Sequence, residues 1–161
     1  MKSMPAGYAL ALCFTVLTAA PSMAREKAVN LSLFTPISLA KAEDSITAFR
    51  FDFIYGKNTA VKIIDLGLVN QTTQLSNGLQ WGFVNYNAGN QTGLQLAAFN
   101  YNAGTTNGLQ LAGFNYAESA GGLQLAFINY ARKLGGVQIG AINIASEGGT
   151  FPVMVIANWK K

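Results

Sequence analysis

The sequence predicts an all-β repeat protein, best read as a β-solenoid, with an eight-stranded antiparallel β-barrel as the alternative. Three observations carry this. One eight-letter phrase recurs as GLQWGFVN (78–85), GLQLAAFN (93–100), GLQLAGFN (108–115), GLQLAFIN (122–129) and GVQIGAIN (136–143), at spacings of 15, 15, 14 and 14. A fixed short period is the mark of a repeat architecture. Each copy is rich in Leu, Ile, Val, Phe and Tyr and is bounded by Gly, Asn, Ala, Ser and Thr, which is strand chemistry between turn signals. Charge is almost absent from the copies: half the chain is hydrophobic and 11% is charged, well below the usual quarter.

From the N-terminus, residues 1–24 read as a signal peptide. Lys2 supplies the positive start, Gly7 to Ala20 is an apolar run, Pro21 breaks it, and Ser22-Met23-Ala24 presents small residues for cleavage after Ala24. The run is short for a retained span of about 20 residues. The sole cysteine, Cys13, lies inside it behind bulky Leu12, where a lipid-attachment site expects a small residue. Beyond the leader the chain has neither Cys nor His. A disulfide, a thiolate nucleophile and a Cys/His metal site are therefore not expected.

Residues 25–47 read as an N-terminal cap segment, with a strand-like VNLSLF and a polar KAEDS. Residues 48–161 read as a single β-repeat domain. The 15-residue ruler finds weaker copies at its ends: AFRFDFIY (48–55), with Arg50 in the Gln place and Tyr55 in the Asn place; IIDLGLVN (63–70), with Asp65 and Asn70; and FPVMVIAN (151–158), ending on Asn158. That makes eight units. The linkers, such as NAGNQT and NAGTTN, read as turns.

Strict strand alternation puts Leu109, Leu111, Gly113 and Asn115 on one face, and Gln110, Ala112, Phe114 and Tyr116 on the other. The Leu pair belongs to an apolar layer. The small fifth residue of each copy (Gly82, Ala97, Ala112, Ala126, Gly140) predicts a bend, a bulge or a close backbone approach. In a solenoid, Gln80, Gln95, Gln110, Gln124 and Gln138 stack as one amide ladder. Asn70, Asn85, Asn100, Asn115, Asn129, Asn143 and Asn158 stack as another. Stacked amides donate to one neighbour and accept from the other, so they can stand inside an apolar run. In a barrel each unit would be one strand of an outer-membrane meander. The uniform linkers, Pro152 in the last unit and the ending NWKK fit that poorly. Arg50, Asp52 and Pro152 mark the end units as atypical, as solenoid caps are.

Catalysis needs an acid or base, an activated nucleophile or a metal. The acids are Glu26, Glu43, Asp44, Asp52, Asp65, Glu118 and Glu147. Asp65 is expected to cap the amide stack or to pair with Lys62 or Arg50, and Glu43-Asp44 to form a turn. No catalytic, cofactor-binding or metal residue is assigned. The basic residues do not cluster as a nucleic-acid face requires. The recurring aromatics Trp81, Phe83, Tyr86, Phe99, Tyr101, Phe114, Tyr116, Phe127 and Tyr130 read as packing, as a lipid-facing band, or as a strip for sugars. With strands this poor in charge, some face must be covered by protein, partner or lipid.

The units GLQWGFVN, GLQLAGFN and GVQIGAIN, with IYGKN (54–58) and DLGLVN (65–70) before them and FPVMVIANW (151–159) behind, resemble a bacterial family of surface repeat proteins. Its members, of the leptospiral type with GLQ-x-GL-x-N repeats, occur in Gram-negative bacteria as exported proteins or lipoproteins. The resemblance covers roughly 48 to 159. It implies export to the periplasm, outer membrane or cell surface, and carries no catalytic residue with it. The expected function is a non-catalytic structural or interaction protein of the cell envelope. The alternatives are a small outer-membrane barrel and a carbohydrate-binding module. The expected partner is the outer membrane or another envelope protein, with no nucleic acid, cofactor or small-molecule substrate.

Overall fold

The computed structural model describes residues 25–161. The expected leader and its cleavage after Ala24 lie outside the described residues. Ten strands form a single sheet: β1 (Glu26–Phe34), β2 (Ile37–Ser38), β3 (Ser45–Val61), β4 (Ile64–Trp81), β5 (Val84–Asn87), β6 (Asn90–Leu96), β7 (Phe99–Ala120), β8 (Leu123–Leu134), β9 (Val137–Glu147) and β10 (Val153–Trp159). The repeat stacks on itself in parallel register. Gln80 pairs with Gln95, Gln95 with Gln110, Gln110 with Gln124, and Gln124 with Gln138. This is a β-solenoid of about eight turns at roughly 15-residue spacing. The barrel alternative falls, because neighbouring strands of an up-and-down meander run antiparallel.

The linkers divide: NAGNQT bends at Ala88–Gly89 between β5 and β6, and Gly135–Gly136 bends between β8 and β9, while NAGTTN does not turn out of the sheet. β7 runs unbroken for 22 residues, through NAGTTN and on into the next copy. In a parallel coil each linker residue lies over its counterpart one turn earlier, so its N–H and C=O pair with that turn. Turn-forming residue types therefore do not end the ladder. The glycine that opens each of the five clear copies lies hard against the turn before it. Gly93 sits at φ +107°, and a Cβ there would lie 2.3 Å from the carbonyl oxygen of Gly78 below it. Only glycine adopts that conformation readily.

Along the repeated eight-residue copies the inside of the coil is polar and its outside apolar, the reverse of a soluble strand. Gln110 and Asn115 are both fully buried, whereas the leucines point outward. Strict alternation fails at the small fifth residue. There the backbone tucks inward, which puts Gln and Asn, five residues apart, on the same side. A Cβ on Gly82 would come within 2.6 Å of Asn70 Nδ2 and 3.2 Å of Asn85 Oδ1, so the fifth residue is small because the Asn ladder runs beside it.

Two register expectations are corrected. Tyr55 does not occupy the Asn place: a bulge between Asp52 and Tyr55 shifts the pairing, so that Gly56 lies against Asn70 and Tyr55 against Val69. The space Gly56 leaves is filled by the Asp52 carboxylate, 1.6 Å from where a Cβ would stand. Asn158 does not extend the Asn ladder. The chain reverses after β9, and β10 returns antiparallel to it, setting Asn158 beside Gln138. The Asn158 Nδ2 donates to the Phe151 carbonyl (3.0 Å), and its Oδ1 accepts the Thr150 N–H (3.2 Å). It holds the reversal and closes the end of the coil. At the other end β1 adds a parallel rung before β3, with Asn30 over Arg50, and β2 folds back on β1.

Candidate functional surface

The two amide ladders form as expected, from Gln80 to Gln138 and from Asn70 to Asn143. In the Gln ladder each Nε2 donates toward the N-terminal neighbour: Gln138 to Gln124 (2.9 Å), Gln124 to Gln110 (2.8 Å), Gln110 to Gln95 (3.0 Å) and Gln95 to Gln80 (2.7 Å). The Asn ladder runs the other way. Asn70 donates to Asn85, and each Nδ2 in turn to the next, ending at Asn143, with separations of 2.9 to 3.0 Å. Each Nδ2 from Asn70 to Asn129 also reaches a backbone carbonyl just before the inward tuck, such as Trp81 O at 3.0 Å. The two ladder dipoles therefore oppose each other. Their free acceptor ends, Asn70 Oδ1 and Gln138 Oε1, are buried without partners.

A third polar column was missed in the sequence. Asn58, Thr72, Asn87 and Asn102 line up in register and are fully buried. Asn87 donates to Asn102 (2.8 Å) and Gln80 (3.0 Å), and Asn102 donates to Gln95 (2.8 Å). The YN that follows each of the first copies was a visible signal, but it lay in a segment read as a turn. From the third clear copy onward this column becomes Ala117, Ala131 and Ala145, which pack with Ala120 and Leu134. The change from an amide interior to an alanine interior coincides with the change from 15-residue to 14-residue spacing.

These ladder residues are structural. Replacing Gln110 with Leu keeps its bulk but removes the acceptor for Gln124 Nε2. Gln95 Oε1 stays satisfied by Asn102. One buried donor is then orphaned, at a cost of about 1–3 kcal/mol. Urea unfolding should show this loss; an unchanged midpoint would mean the ladder adds nothing to stability.

The N-terminal end of the Gln ladder holds the chain's buried ions. Gln80 Nε2 donates to Asp65 Oδ2 (2.8 Å), so the donor end of the ladder terminates on an anion. Arg50 clamps the same carboxylate with Nε and Nη2, both at 2.6 Å. Its Nη1 reaches Gln71 O (3.0 Å) and Asn58 Oδ1 (3.3 Å). Asp65 thus both caps the stack and pairs with Arg50, while Lys62 pairs instead with Glu26 at 2.6 Å. Asp52 is also fully buried, with Oδ2 2.9 Å from Arg50 Nε. That N–H is aimed at Asp65, and the one hydroxyl beside Asp52, that of Ser32, donates to the Ile37 carbonyl (3.4 Å), so neither Asp52 oxygen accepts a well-formed hydrogen bond. Burial pushes the Asp52 carboxyl up to about 6, and the Asp65 charge adds to this against the pull of Arg50. Asp44, expected in a turn, is buried there and accepts the Lys41 N–H (3.0 Å). Among the described residues no three His, Cys, Asp or Glu side chains gather closely enough to hold a metal ion.

Outside, the inward tuck leaves a groove along the N-terminal turns. Its floor is Ser32, Asp52, Gly67 and Gly82, the residues at the tuck, and its walls are the residues before and after. One stretch of about 570 Å³ lies between Leu31, Leu33, Ile37, Leu39, Phe51 and Phe53. The next, about 520 Å³, continues from Phe51 and Phe53 past Leu66 and Leu68 to Trp81 and Phe83. Trp81 is 60% exposed, Phe53 65% and Phe127 68%. The charged pairs Arg132–Glu118 and Arg132–Glu147 (3.3 Å) sit instead on the former linker segments. Exposed pairs of this kind contribute little to stability. Between groove and linkers runs a tyrosine column. Tyr86, Tyr101, Tyr116 and Tyr130 stack within 5° of parallel, at 5.2, 4.5 and 5.2 Å. The tyrosine ring faces are taken up by neighbouring rings, whereas Trp81, Phe83 and Phe127 of the recurring aromatics are exposed.

The fold and this surface define a parallel β-solenoid with an amide interior and an apolar exterior groove. No protein-family model, curated protein or solved structure matches the chain.

Proposed function

We propose that this chain is an exported, non-catalytic interaction protein of the bacterial cell envelope, and that the exterior groove is its working surface. The observation that carries the reading is the charge-free outer wall on a rigid coil. The residues just before the tuck are Leu31, Phe51, Leu66, Trp81, Leu96, Leu111, Leu125 and Ile139, apolar in every turn. A contiguous apolar surface of this kind marks an interaction site. The buried ions serve the end of a ladder and are closed to substrate. The leader-like residues 1–24 and the resemblance to surface repeat proteins support export.

Fractionation of a Gram-negative host making the full chain tests this. The protein should lose its leader and sediment with the envelope. It should stay there through a high-salt wash, which strips charge-held proteins, and leave with a mild nonionic detergent. Recovery in the cytosol with the leader intact would overturn the proposal.

A further inference from the structure

We infer that the groove face seats a second copy of this chain, the two solenoids lying face to face and antiparallel about a two-fold axis. This rests on the reading that the apolar exterior is the working surface, and it names the occupant.

Size is the first support. Eight rungs about 4.8 Å apart, and six residues across at about 3.3 Å each, make a face of roughly 35 by 20 Å. That is about 700 Å², close to the ~800 Å² that each partner contributes to a standard stable interface. Charge is the second. The chain carries a net +4, yet the walls of this face are uncharged and the one ion at its floor, Asp52, is fully buried, so two copies meet there without like-charge repulsion. The same neutrality offers nothing to an ionic or hydrogen-bonding ligand.

Shape is the third support, and it fixes the arrangement. The residue after the tuck differs from turn to turn: Leu33, Phe53, Leu68 and Phe83 in the N-terminal half, then Ala98, Gly113, Phe127 and Ala141. An in-plane two-fold axis crossing the solenoid between the Phe83 and Ala98 rungs brings this column against itself in reverse order. Phe83 then faces Ala98, Leu68 faces Gly113 and Leu33 faces Ala141. In three of the four pairings a bulky residue meets a small one. The single large pair is Phe53 against Phe127, the most exposed members of the column, and aromatic pairs of this kind add to the burial they provide. Phe83 is already braced within its own chain by an edge-to-face contact with Phe99 at 6.0 Å. A parallel arrangement would set Phe53 on Phe53 and Gly113 on Gly113, which leaves both clashes and voids.

The test uses the exported full-chain product, exchanged from detergent into plain buffer. Sedimentation equilibrium should give a dimer at about 10 µM, a concentration at which micromolar affinity suffices. Phe83→Lys, at a side chain already exposed in the single chain, should leave the circular dichroism unchanged and weaken association at least tenfold. Register is read with cysteines, since the one native cysteine lies in the leader. A mixture of Phe53→Cys and Phe127→Cys chains should oxidise to a crossed disulfide dimer, while neither alone should crosslink. A monomer at 100 µM would overturn the dimer, as would monomers that float with phospholipid vesicles. Crosslinking of Phe53→Cys with itself would overturn the antiparallel register. A monomer that still fractionates with the envelope would remove the dimer alone; a cytosolic protein would remove the functional reading and leave the mass measurement standing.

Discussion

Arg50→Met should destabilise the fold by about 3–5 kcal/mol at neutral pH, the cost of stranding buried charge. Arg50 is fully buried and is the one cation between the Asp52 and Asp65 carboxylates. Without it, both acids face a ladder that can offer only Gln80 Nε2. The damage should concentrate in the first turns, because a solenoid's coupling is to nearest neighbours. Hydrogen exchange should therefore quicken in β3 and β4 well before β8 and β9. Arg50→Lys should recover only part of the loss: an ammonium keeps the charge but lacks the two-pronged clamp on Asp65. Adding Asp65→Gln to Arg50→Met should also restore stability, since it removes one stranded charge and extends the Gln ladder by a rung. A single Arg50→Met variant within 1 kcal/mol of the parent would show that the cluster is not stabilising.

The repeat spacing carried most of the architecture, because parallel stacking imposes one rule on every turn. Gln80 to Gln138 and Asn70 to Asn143 could be placed from the ruler alone. Where the ruler failed, a local backbone event had broken it. The bulge after Asp52 cannot be seen in AFRFDFIY, since Tyr55 keeps the spacing while Gly56 takes the place. The reversal before β10 leaves FPVMVIAN in phase by letters but reversed in direction. The inward-facing amides were read as a rung but not as a core, because alternation counts residues and the tuck at the small fifth residue spends an extra one. The third column, Asn58 to Asn102, was hidden by a different assumption. Asn, Gly and Thr signal turns when a strand must end, but a residue stacked in parallel over its counterpart keeps its ladder partners even where the chain bends, as at Ala88–Gly89. The apolar exterior follows from the same inversion: with amides filling the narrow interior, Leu109, Leu111 and their counterparts have only the outside left.

Asp52 should make the protein more stable at pH 5 than at pH 8. Its carboxyl is raised from 3.8 to about 6 in the fold, so the folded chain holds a proton that the unfolded chain has released. Its contribution is complete below pH 4 and is lost as the pH rises through 6, on the order of 3 kcal/mol in all. The cause is burial of the carboxyl, to which the nearby Asp65 charge adds and against which Arg50 pulls. Each Oδ1 from Asn85 to Asn143 accepts from the preceding rung, and Asn70 Oδ1 has no donor. At the preceding rung the Asp52 carboxylate fills the space over Gly56. Ionised, it is a buried anion without a donor of its own and leaves the Arg50 cluster with a net negative charge. Protonated, it is neutral and has a hydrogen to give. Asp52→Asn supplies that donor at every pH. It should match or exceed the parent at pH 5, exceed it by up to about 3 kcal/mol at pH 8, and show almost no slope between. The chain contains no histidine, so no other side chain with an ordinary pKa titrates in this window. Urea unfolding of parent and variant at the two pH values decides the matter. A parent more stable at pH 8, or an asparagine variant that keeps the parent's slope, would mean that Asp52 is not the group whose titration sets the pH dependence.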